Sequence, residues 1–195
     1  TPVYFPRSHA GNGAFAELVS DMALGQMVRN HAFCRGFGEA QILRIASLSI
    51  EVTFEENEVI LEPKVRSRYF YLIVEGSAAV ELRTARFSVC LQALGPDQVC
   101  GWSSLLDDQD TLFQVRARER VRALRVDGVK LAKACKFDPQ FGAEFLHRTL
   151  QVVAQRLLVG RVGVALVGVA DPLVQDRVVA RLLDVGGGAQ HRELV

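Results

Sequence analysis

The fold is decided by LGPDQVCGWSSLLDDQDTLFQVRAR, residues 94–118, which joins two predicted strands through a turn, a Gly-Trp-Ser-Ser opening and an acidic loop. This is the form of an insert that cradles an anion. Gly101 allows the backbone to approach a ligand closely. Ser103 and Ser104 are predicted to cap a one-turn helix whose free N–H groups face the ligand. The stretch therefore predicts a phosphate-binding frame.

The side chains within this insert do not suit a phosphodiester. Trp102 adds bulk, Thr111 is neutral, and aspartates at positions 107, 108 and 110 add negative charge. Trp102 is either a ligand-stacking platform or, more simply, a packing residue. We predict that the chain keeps the phosphate-binding frame but has altered the side chains that would contact a phosphate. The candidate ligand-binding residues are Gly101, Trp102, Ser103, Ser104, Leu105, Thr111 and Leu112.

Composition limits the classes of function. The 195 residues carry a net charge of +1 with a pI of 7.7, which argues against a polyanion binder over the whole chain. The start lacks a signal peptide, and the longest apolar stretch, 162–170, is too short to span a bilayer. We therefore expect a cytoplasmic protein that makes no membrane contact. Because the four cysteines lack CxxC spacing, we expect no metal site.

The chain carries no recognisable catalytic motif. It has no Gly-x-Ser-x-Gly sequence, no Walker-type loop and no nucleophile with an evident base partner. A metal-dependent cupin enzyme would need paired histidines on inner strands, but the four histidines fall outside the predicted strand region. We therefore expect that the protein is not an enzyme.

Short apolar runs separated by turn residues fill the chain from Ser49 to Val126. Turn residues recur at Asn57, at Glu75-Gly76 and at Gly95-Pro96-Asp97, roughly the 8- to 12-residue spacing of an antiparallel sandwich or barrel. The pattern predicts an α+β protein with seven or eight strands in an antiparallel β-roll of jelly-roll size, flanked by helices.

Helical periodicity flanks the roll and predicts three short helices, Ala14–Val28, Glu39–Ser47 and Val129–Lys136. Asp138-Pro139 is a strong helix start, with Asp138 as the N-cap and Pro139 at the first helical position. A long helix is predicted to follow, from Gln140 to about Val167. Another helix is predicted at Leu173–Asp184.

Two apolar stripes run along the long helix. The first comprises Phe141, Phe145, Val152, Val159 and Leu166. The second comprises Leu146, Leu150, Val153, Leu157, Gly160 and Val164. One stripe can cover the roll while the second meets another copy of itself, although packing within one domain is the alternative. We predict a homodimer whose interface is the second stripe.

Four motifs in this order carry a family resemblance: Phe54-x-x-Asn57-x-x-Ile60, Tyr71-Leu-Ile-Val-Glu-Gly76, Leu94-Gly-Pro-Asp-x-x-x-Gly-Trp102 and Val115-Arg-Ala117. Together with a β-roll followed by a short and a long helix, they resemble a cyclic-nucleotide-binding domain of the cyclic AMP receptor protein and fumarate-nitrate reduction regulator (CRP/FNR) family. The resemblance covers residues 31 to about 184. It implies a winged helix-turn-helix DNA-binding domain that begins near Leu173 and whose recognition helix lies beyond Val195.

The sequence departs from this family in its phosphate cassette, residues 101–117. The family usually has Glu directly after the glycine, to hold a ribose hydroxyl, and Arg before the next strand, to pair with the cyclic phosphate. Trp102 and Thr111 stand at these two positions. The loss of two charge-assisted contacts predicts binding weakened by about a hundredfold or more, so cyclic AMP is disfavoured as a ligand. The pocket is either vestigial or adapted to another ligand.

Two further patterns suggest function outside the cassette. Cys135 lies among Lys130, Lys133 and Lys136, whose charges favour a thiolate, so it is a candidate redox sensor, with a structural buried cysteine as the alternative. Four arginines share a parity along a predicted strand, which indicates either one solvated face or a patch for an effector phosphate or a partner: Arg116, Arg118, Arg120 and Arg122. Cys90 and Cys100 are predicted to lie in the core.

The predicted organisation is a leader and helix at 1–30, a cyclic-nucleotide-binding-like roll at 31–137, a dimerisation helix at 138–170 and the start of a truncated winged helix-turn-helix at 171–195. The sequence thus suggests the sensory and dimerisation part of a CRP/FNR-like bacterial transcription regulator. Its implied partners are a second copy, DNA through a C-terminal domain only partly present, and RNA polymerase. The alternative is a regulatory or protein-interaction module that is attached to an enzyme or channel, or acts alone.

Overall fold

The computed structural model describes residues 22–83, 88–106, 110–111 and 113–170, with the side chains described as far as residue 156. The chain divides into two compact units, Thr1–Thr149 and Leu150–Val195. The leader, the predicted helix at 173–184 and the predicted DNA-binding segment lie outside the described residues. The cassette belongs to the first unit.

Four α-helices and two short 3-10 helices are described. Helix α1 is described at residues 22–30, and the others are α2 (Glu39–Ser47), α3 (Gly128–Phe137) and α4 (Pro139–Ala170). The 3-10 helices are η1 (Ala32–Cys34) and η2 (Trp102–Leu105). The strands are β1 (Ser49–Phe54), β2 (Val59–Leu61), β3 (Tyr69–Glu75), β4 (Ala78–Arg83), β5 (Ser88–Leu94), β6 (Val99–Cys100), β7 (Gln114–Ala117) and β8 (Val121–Asp127).

The strands form two four-stranded antiparallel sheets, in the orders β1-β8-β3-β6 and β2-β7-β4-β5. Apolar side chains from both sheets make one core, with Tyr71 and Ile73 of β3 among those from one sheet and Val115 and Ala117 of β7 among those from the other. The antiparallel α+β fold predicted from the sequence is therefore confirmed, and the described strands number eight.

The predicted turns are confirmed where the chain must adopt positive φ. Asn57 and Asp97 have φ angles of 69° and 67°, a conformation that Asn and Asp tolerate better than most residues. Gly76 has a φ of 81°, and an added Cβ would lie 2.1 Å from Arg120 O. Only glycine fits there, because both the dihedral angle and the available space exclude a side chain.

Five phenylalanines form an aromatic cluster that joins the helices to the roll: Phe33, Phe37, Phe70, Phe141 and Phe145. Ring centroids of neighbours lie 5.2 to 6.3 Å apart, within the range of favourable aromatic pairs. Phe70, Phe141 and Phe145 are fully buried. The cluster brings η1, β3 and the start of α4 into one packed layer.

Polar contacts secure the same layer. Arg148 of α4 donates to Phe33 O at 2.9 Å and to Arg35 O, pairs with Glu144 at 2.6 Å, and stacks over the Phe37 ring at 4.2 Å. On the roll side, Asp97 accepts from Ala32 N–H at 2.8 Å. The segment around η1 is therefore held from α4 on one side and from the turn before β6 on the other.

His31 precedes η1 and is buried with both ring nitrogens engaged. Its Nδ1 accepts from Phe33 N–H at 3.2 Å, and its Nε2 lies 3.1 Å from Ile73 O. Because Nδ1 accepts, Nε2 carries the proton and donates to the carbonyl. Burial lowers the pKa of His31, although the nearby Asp97 carboxylate acts in the opposite direction. No local pattern in the sequence indicated this role.

The helical predictions are largely confirmed. Helix α2 has the predicted bounds, and α3 extends one residue further at each end than predicted. Asp138 caps α4 by accepting from Phe141 N–H at 3.1 Å, as its position before Pro139 predicted. Of the helix predicted at 14–28, the structure describes the part from residue 22 onward, and this part is helical.

The two stripes of α4 differ in exposure over the described side chains. Phe141 and Phe145 are buried in the aromatic cluster, whereas Leu146 and Leu150 are 48% and 64% exposed. Val153 is partly buried. Leu157, Gly160 and Val164 lie outside the residues whose side chains are described. The helix thus leaves apolar side chains uncovered, but the homodimer stays a prediction.

Two predictions about the strands were wrong. The four arginines do not share a strand, because β7 ends at Ala117 and β8 begins at Val121 in the other sheet. Arg118 and Arg120 lie in the connection between these strands, where parity carries no information about a face. Cys90 is exposed rather than buried in the core, whereas Cys100 is buried as predicted.

Candidate functional site

The cassette begins at Gly101, directly after β6. Gly101 has a φ of 80°, and an added Cβ would lie 2.2 Å from Tyr69 O of β3. A side chain is therefore excluded both by conformation and by the closeness of the neighbouring strand. The close approach at Gly101 is to the protein's own β3, and the approach to a ligand stays a prediction.

The next four residues, Trp102 to Leu105, form η2 rather than a capped α-helical turn. The N-cap is Gly101, and no side chain caps this helix, so the prediction that Ser103 and Ser104 act as caps was wrong. Both serines lie inside η2, where their backbone groups take part in its bonds: Ser104 N–H donates to Gly101 O and Leu106 N–H donates to Ser103 O. Trp102 and Leu105 are partly buried.

Thr111, at the far end of the acidic loop, is tied to the connection between β2 and β3. Its N–H donates to Val65 O at 2.9 Å, and its carbonyl accepts from Lys64 N–H at 2.5 Å. Arg66 and Asp110 form an isolated antiparallel bridge beside this pair. Backbone hydrogen bonds therefore fix Thr111 without using its side chain. Asp107, Asp108 and Leu112 lie outside the described residues.

Three buried side-chain polar atoms of the cassette have no hydrogen-bond partner: Ser104 Oγ, Thr111 Oγ1 and Gln114 Oε1. Buried polar groups are normally paired, and an unpaired one costs about 1–3 kcal/mol of stability. No other side-chain nitrogen or oxygen in the described residues is both buried and unpartnered. Polar groups without partners are thus concentrated in the segment that the sequence marked as the ligand frame.

A buried carboxylate beside the cassette was missed at the sequence level. Glu81 of β4 accepts from Gln114 Nε2 at 3.0 Å, and lies 3.5 Å from Arg116 Nε and 3.6 Å from Arg118 Nη1. Gln114 and Glu81 are register partners on neighbouring strands, which places their side chains on one face. The contact depends on the register of β4 against β7, which leaves little signal in the sequence.

Of the two interpretations of Cys135, the structure agrees with the buried structural cysteine and not with the thiolate. Burial raises the pKa of the Cys135 thiol, and this effect exceeds the opposing influence of the Arg44 guanidinium. The sulfur lies on the buried face of α3, whereas Lys130 and Lys133 lie on the exposed face. Sequence proximity of lysines was misleading here, because a helix separates neighbours onto different faces. Cys34 is also buried, and burial raises its pKa to about 12.

The structure describes no alternative site of the kinds considered. No group of three or more His, Cys, Asp and Glu side chains within the described residues is arranged to hold a metal ion. In the same part of the chain, no helix combines the length and apolar character needed to cross a bilayer.

The combination of β-roll, cassette and helices is similar to known proteins. A family model for the cyclic nucleotide-binding domain matches residues 51–138, which include the cassette. The chain contains a cyclic nucleotide-binding domain. A search of curated proteins finds no match.

Solved structures share the fold of this cyclic nucleotide-binding domain. A putative cyclic nucleotide-binding protein from Geobacter metallireducens is 22% identical, with a TM-score of 0.60, over 68% of this chain and 97% of that chain. The N-terminal domain of a transcriptional regulator from Streptomyces coelicolor is 16% identical, with a TM-score of 0.55, over 66% of this chain and 91% of that chain. At these identities the likeness establishes the fold alone.

The cyclic nucleotide-binding domain also resembles the regulatory subunit of a cAMP-independent protein kinase A from Trypanosoma brucei. The identity is 18% and the TM-score 0.53, over 69% of this chain and 53% of that chain, so this chain spans about half of that protein. A triple mutant of that subunit, in which one substitution replaces threonine by arginine, is bound to cAMP in the A site.

Proposed function

We propose that this domain is the sensory and dimerisation part of a CRP/FNR-like bacterial transcription regulator in the cytoplasm, and that its cassette does not bind cyclic nucleotide in the family manner. The observation that carries the second statement is the environment of Thr111. Its backbone is fixed by the connection between β2 and β3, its side chain is buried, and its hydroxyl has no partner. The residue is held in place, but it offers no charge to a phosphate.

The energetic argument rests on charge. A cyclic phosphate is an anion, and the resemblance implies an arginine where Thr111 stands and a glutamate where Trp102 stands. Hydrogen bonds to charged groups contribute about 1.5–3 kcal/mol each, so losing both weakens binding by a hundredfold or more. A threonine hydroxyl contributes a neutral hydrogen bond at most, and an indole ring cannot accept one from a ribose hydroxyl.

The comparison with the trypanosomal kinase subunit supports this reasoning. That subunit is described as cAMP-independent, and its mutant that gains an arginine in place of a threonine is bound to cAMP. By analogy, we propose that the neutral Thr111 prevents binding of a cyclic nucleotide while the fold is retained. The N-terminal domain of the Streptomyces regulator supports assignment to a transcription regulator.

Calorimetric titration with cyclic AMP and cyclic GMP tests the proposal for the cassette. We expect no binding by the unmodified chain at about 100 μM nucleotide, and a gain of at least a hundredfold in Trp102→Glu/Thr111→Arg. Thr111→Gln is the matched control, because it enlarges the side chain without adding charge, and it should not bind. Binding of either nucleotide by the unmodified chain at low micromolar concentration would overturn the proposal, whether or not the double variant folds.

The dimer is supported by the exposed leucines of α4. Leu146 and Leu150 lie four positions apart, so they share one face of the helix. Their side chains are 48% and 64% exposed. We expect sedimentation equilibrium to show a dimer, and Leu146→Glu/Leu150→Glu to give a monomer. Ile50→Glu places a charge at an exposed apolar residue of β1 and serves as the control. A chain that stays monomeric at high concentration would remove the dimer from the proposal.

A second function is supported by the kinase regulatory subunits among similar structures. In this alternative, the domain is a regulatory or protein-interaction module attached to an enzyme or channel, or acting alone. The natural full-length protein decides between the two functions. Binding to its own promoter region in a mobility-shift assay supports the transcription regulator, whereas a protein that retards no such fragment supports the alternative.

A further inference from the structure

The outward surface of α3 combines positive charge with exposed apolar side chains. Five residues of α3 follow one another at spacings of one, three, three and one positions: Val129, Lys130, Lys133, Lys136 and Phe137. At about 100° per residue they fall within about 120° of arc, so they share one face of the helix. All five are exposed, and the opposite face buries Gly128, Leu131 and Cys135. We call the exposed group the α3 face.

The positive charge of the α3 face is not neutralised by its own helix. Helix α3, GVKLAKACKF, contains no acidic residue. The carboxylates at its two ends already have partners other than the lysine ammonium groups: Asp127 accepts from the backbone N–H of Lys130 at 2.9 Å, and Asp138 pairs with Arg44 at 2.8 Å. No ion pair of Lys130 or Lys133 is formed within the described part of the chain. The two ammonium groups are therefore available to an outside anion.

The apolar members of the α3 face are unusually exposed for their size. Phe137 is 87% exposed and Val129 is 53% exposed, although the aromatic cluster buries other phenylalanines of the same domain almost completely. An exposed phenylalanine in a rim of lysines is typical of an interface, where the ring anchors a partner and the charges orient it. Neither solubility nor folding of α3 requires the ring to point outward.

We propose that the α3 face docks an acidic, partly apolar segment of another protein. Charge complementarity identifies the occupant as anionic, and the exposed Phe137 requires that it also offer apolar contact. A protein segment fits better than an anionic membrane. Because α3 has ten residues and is only about 15 Å long, its lysines would attract lipid weakly. This surface lies outside the cassette, and the proposal does not depend on which ligand the cassette takes.

A defined probe can test the proposal without knowledge of the natural partner. The probe is a fluorescent amphipathic peptide with four glutamates along one face and leucines beside them, and its matched control has glutamine in place of glutamate. We expect anisotropy titration of the whole chain to detect the acidic peptide at low salt, with affinity at least about tenfold weaker for the glutamine peptide. Raising the salt from about 50 mM to about 300 mM should also weaken binding.

Variants of the chain then locate the site. Lys130→Glu/Lys133→Glu should weaken binding by at least about tenfold, and Phe137→Ser should weaken it without removing the salt dependence. The control, Lys64→Glu/Arg120→Glu, makes the same change in net charge outside α3 and should bind as the unmodified chain does. Amide signals of ¹⁵N-labelled protein should shift at residues 129–138 when the peptide is added.

Four outcomes would overturn the proposal. Equal loss of binding in the control variant would mean that net charge alone attracts the peptide. Absence of peptide binding at low salt would mean that the α3 face is only a solvated surface. Binding to phosphatidylserine vesicles without binding to the peptide would assign the face to a membrane. Self-association that Lys130→Glu/Lys133→Glu abolishes would assign it to a second copy of the chain, whose exposed Glu55, Glu56 and Glu58 supply acidic side chains.

Discussion

Around the aromatic cluster, buried polar groups have partners, whereas in the cassette several do not. Arg148 donates to two backbone carbonyls, and His31 uses both ring nitrogens. The hydroxyls of Ser104 and Thr111 are buried without a partner. Because each unpaired buried group costs stability, the cassette is not arranged for stability in the way that the aromatic cluster is. The aromatic cluster therefore stabilises the fold, whereas the cassette contains buried polar groups that do not contribute to stability.

The largest expected effect is loss of packing in the aromatic cluster. Phe145→Ala removes a fully buried ring that contacts Phe33, Phe37, Phe70 and Phe141, and should lower the free energy of unfolding by about 3–5 kcal/mol. Trp102→Ala, in the cassette, is the comparison and should cost clearly less because Trp102 is only partly buried. Urea denaturation measures both. Equal losses would contradict the division into a supporting region and a ligand frame.

Arg148→Met should have the next largest effect. It keeps most of the side-chain volume but removes the hydrogen bonds to Phe33 O and Arg35 O, leaving these carbonyls without this donor. We expect a loss of about 1.5–3 kcal/mol in the same assay. Arg148→Lys should recover only part of this, because an ammonium group cannot reproduce the fork of donors or the stacking over Phe37. A loss below about 0.5 kcal/mol would show that the carbonyls find other donors.

The pH dependence of stability tests the pairing of His31. Because the pKa of His31 is lowered in the folded state, the unfolded chain binds more protons, so stability falls as pH falls below the unfolded value of about 6.5. Protonated His31 would also place an N–H against Phe33 N–H. His31→Gln, which can still donate to Ile73 O, should reduce the fall between pH 7 and pH 5 by about 1 kcal/mol. An unchanged slope would exclude His31 as its cause.

The smallest effects come from a matched pair of serines. Ser49 Oγ donates to Ile45 O at 2.6 Å, whereas Ser104 Oγ has no partner, and both are buried. Ser49→Ala should therefore cost about 0.5–1.5 kcal/mol, while Ser104→Ala should be neutral or slightly stabilising. Thermal and urea denaturation of the two variants would detect the difference. If Ser104→Ala were the more destabilising, the hydroxyl would have a partner in solution and the contrast drawn above would fail.

Local chemistry made much of the fold predictable from sequence. Asn57 and Gly76 fall where the chain turns with positive φ, and Asp138 before Pro139 fixes the start of α4. These signals act over a few residues, so the sequence carries them directly. The need for glycine at position 101 was also predictable from the sequence, because the conformation and the space there exclude a side chain.

The predictions failed where the outcome depended on contacts distant in sequence. Cys135 has lysines as chain neighbours, but its burial raises the pKa of its thiol. The parity of the four arginines is interrupted by a connection between sheets, and Glu81 meets Gln114 only through the register of two strands. The environment of His31 depends on Ile73, forty-two residues away. Such pairings arise from topology, which no local pattern specifies.

The contact between Gly128 and Ser104 has one more consequence. A Cβ on Gly128 would lie 2.5 Å from Ser104 Cβ, so the first turn of α3 rests on η2 with no spare room. Since protein interiors are hardly compressible, a shift of η2 toward α3 must carry the helix with it. A larger side chain at either position would push η2 and α3 apart. The contact between Gly128 and Ser104, two small residues, thus couples the geometry of the ligand frame to α3, the helix that leads into α4.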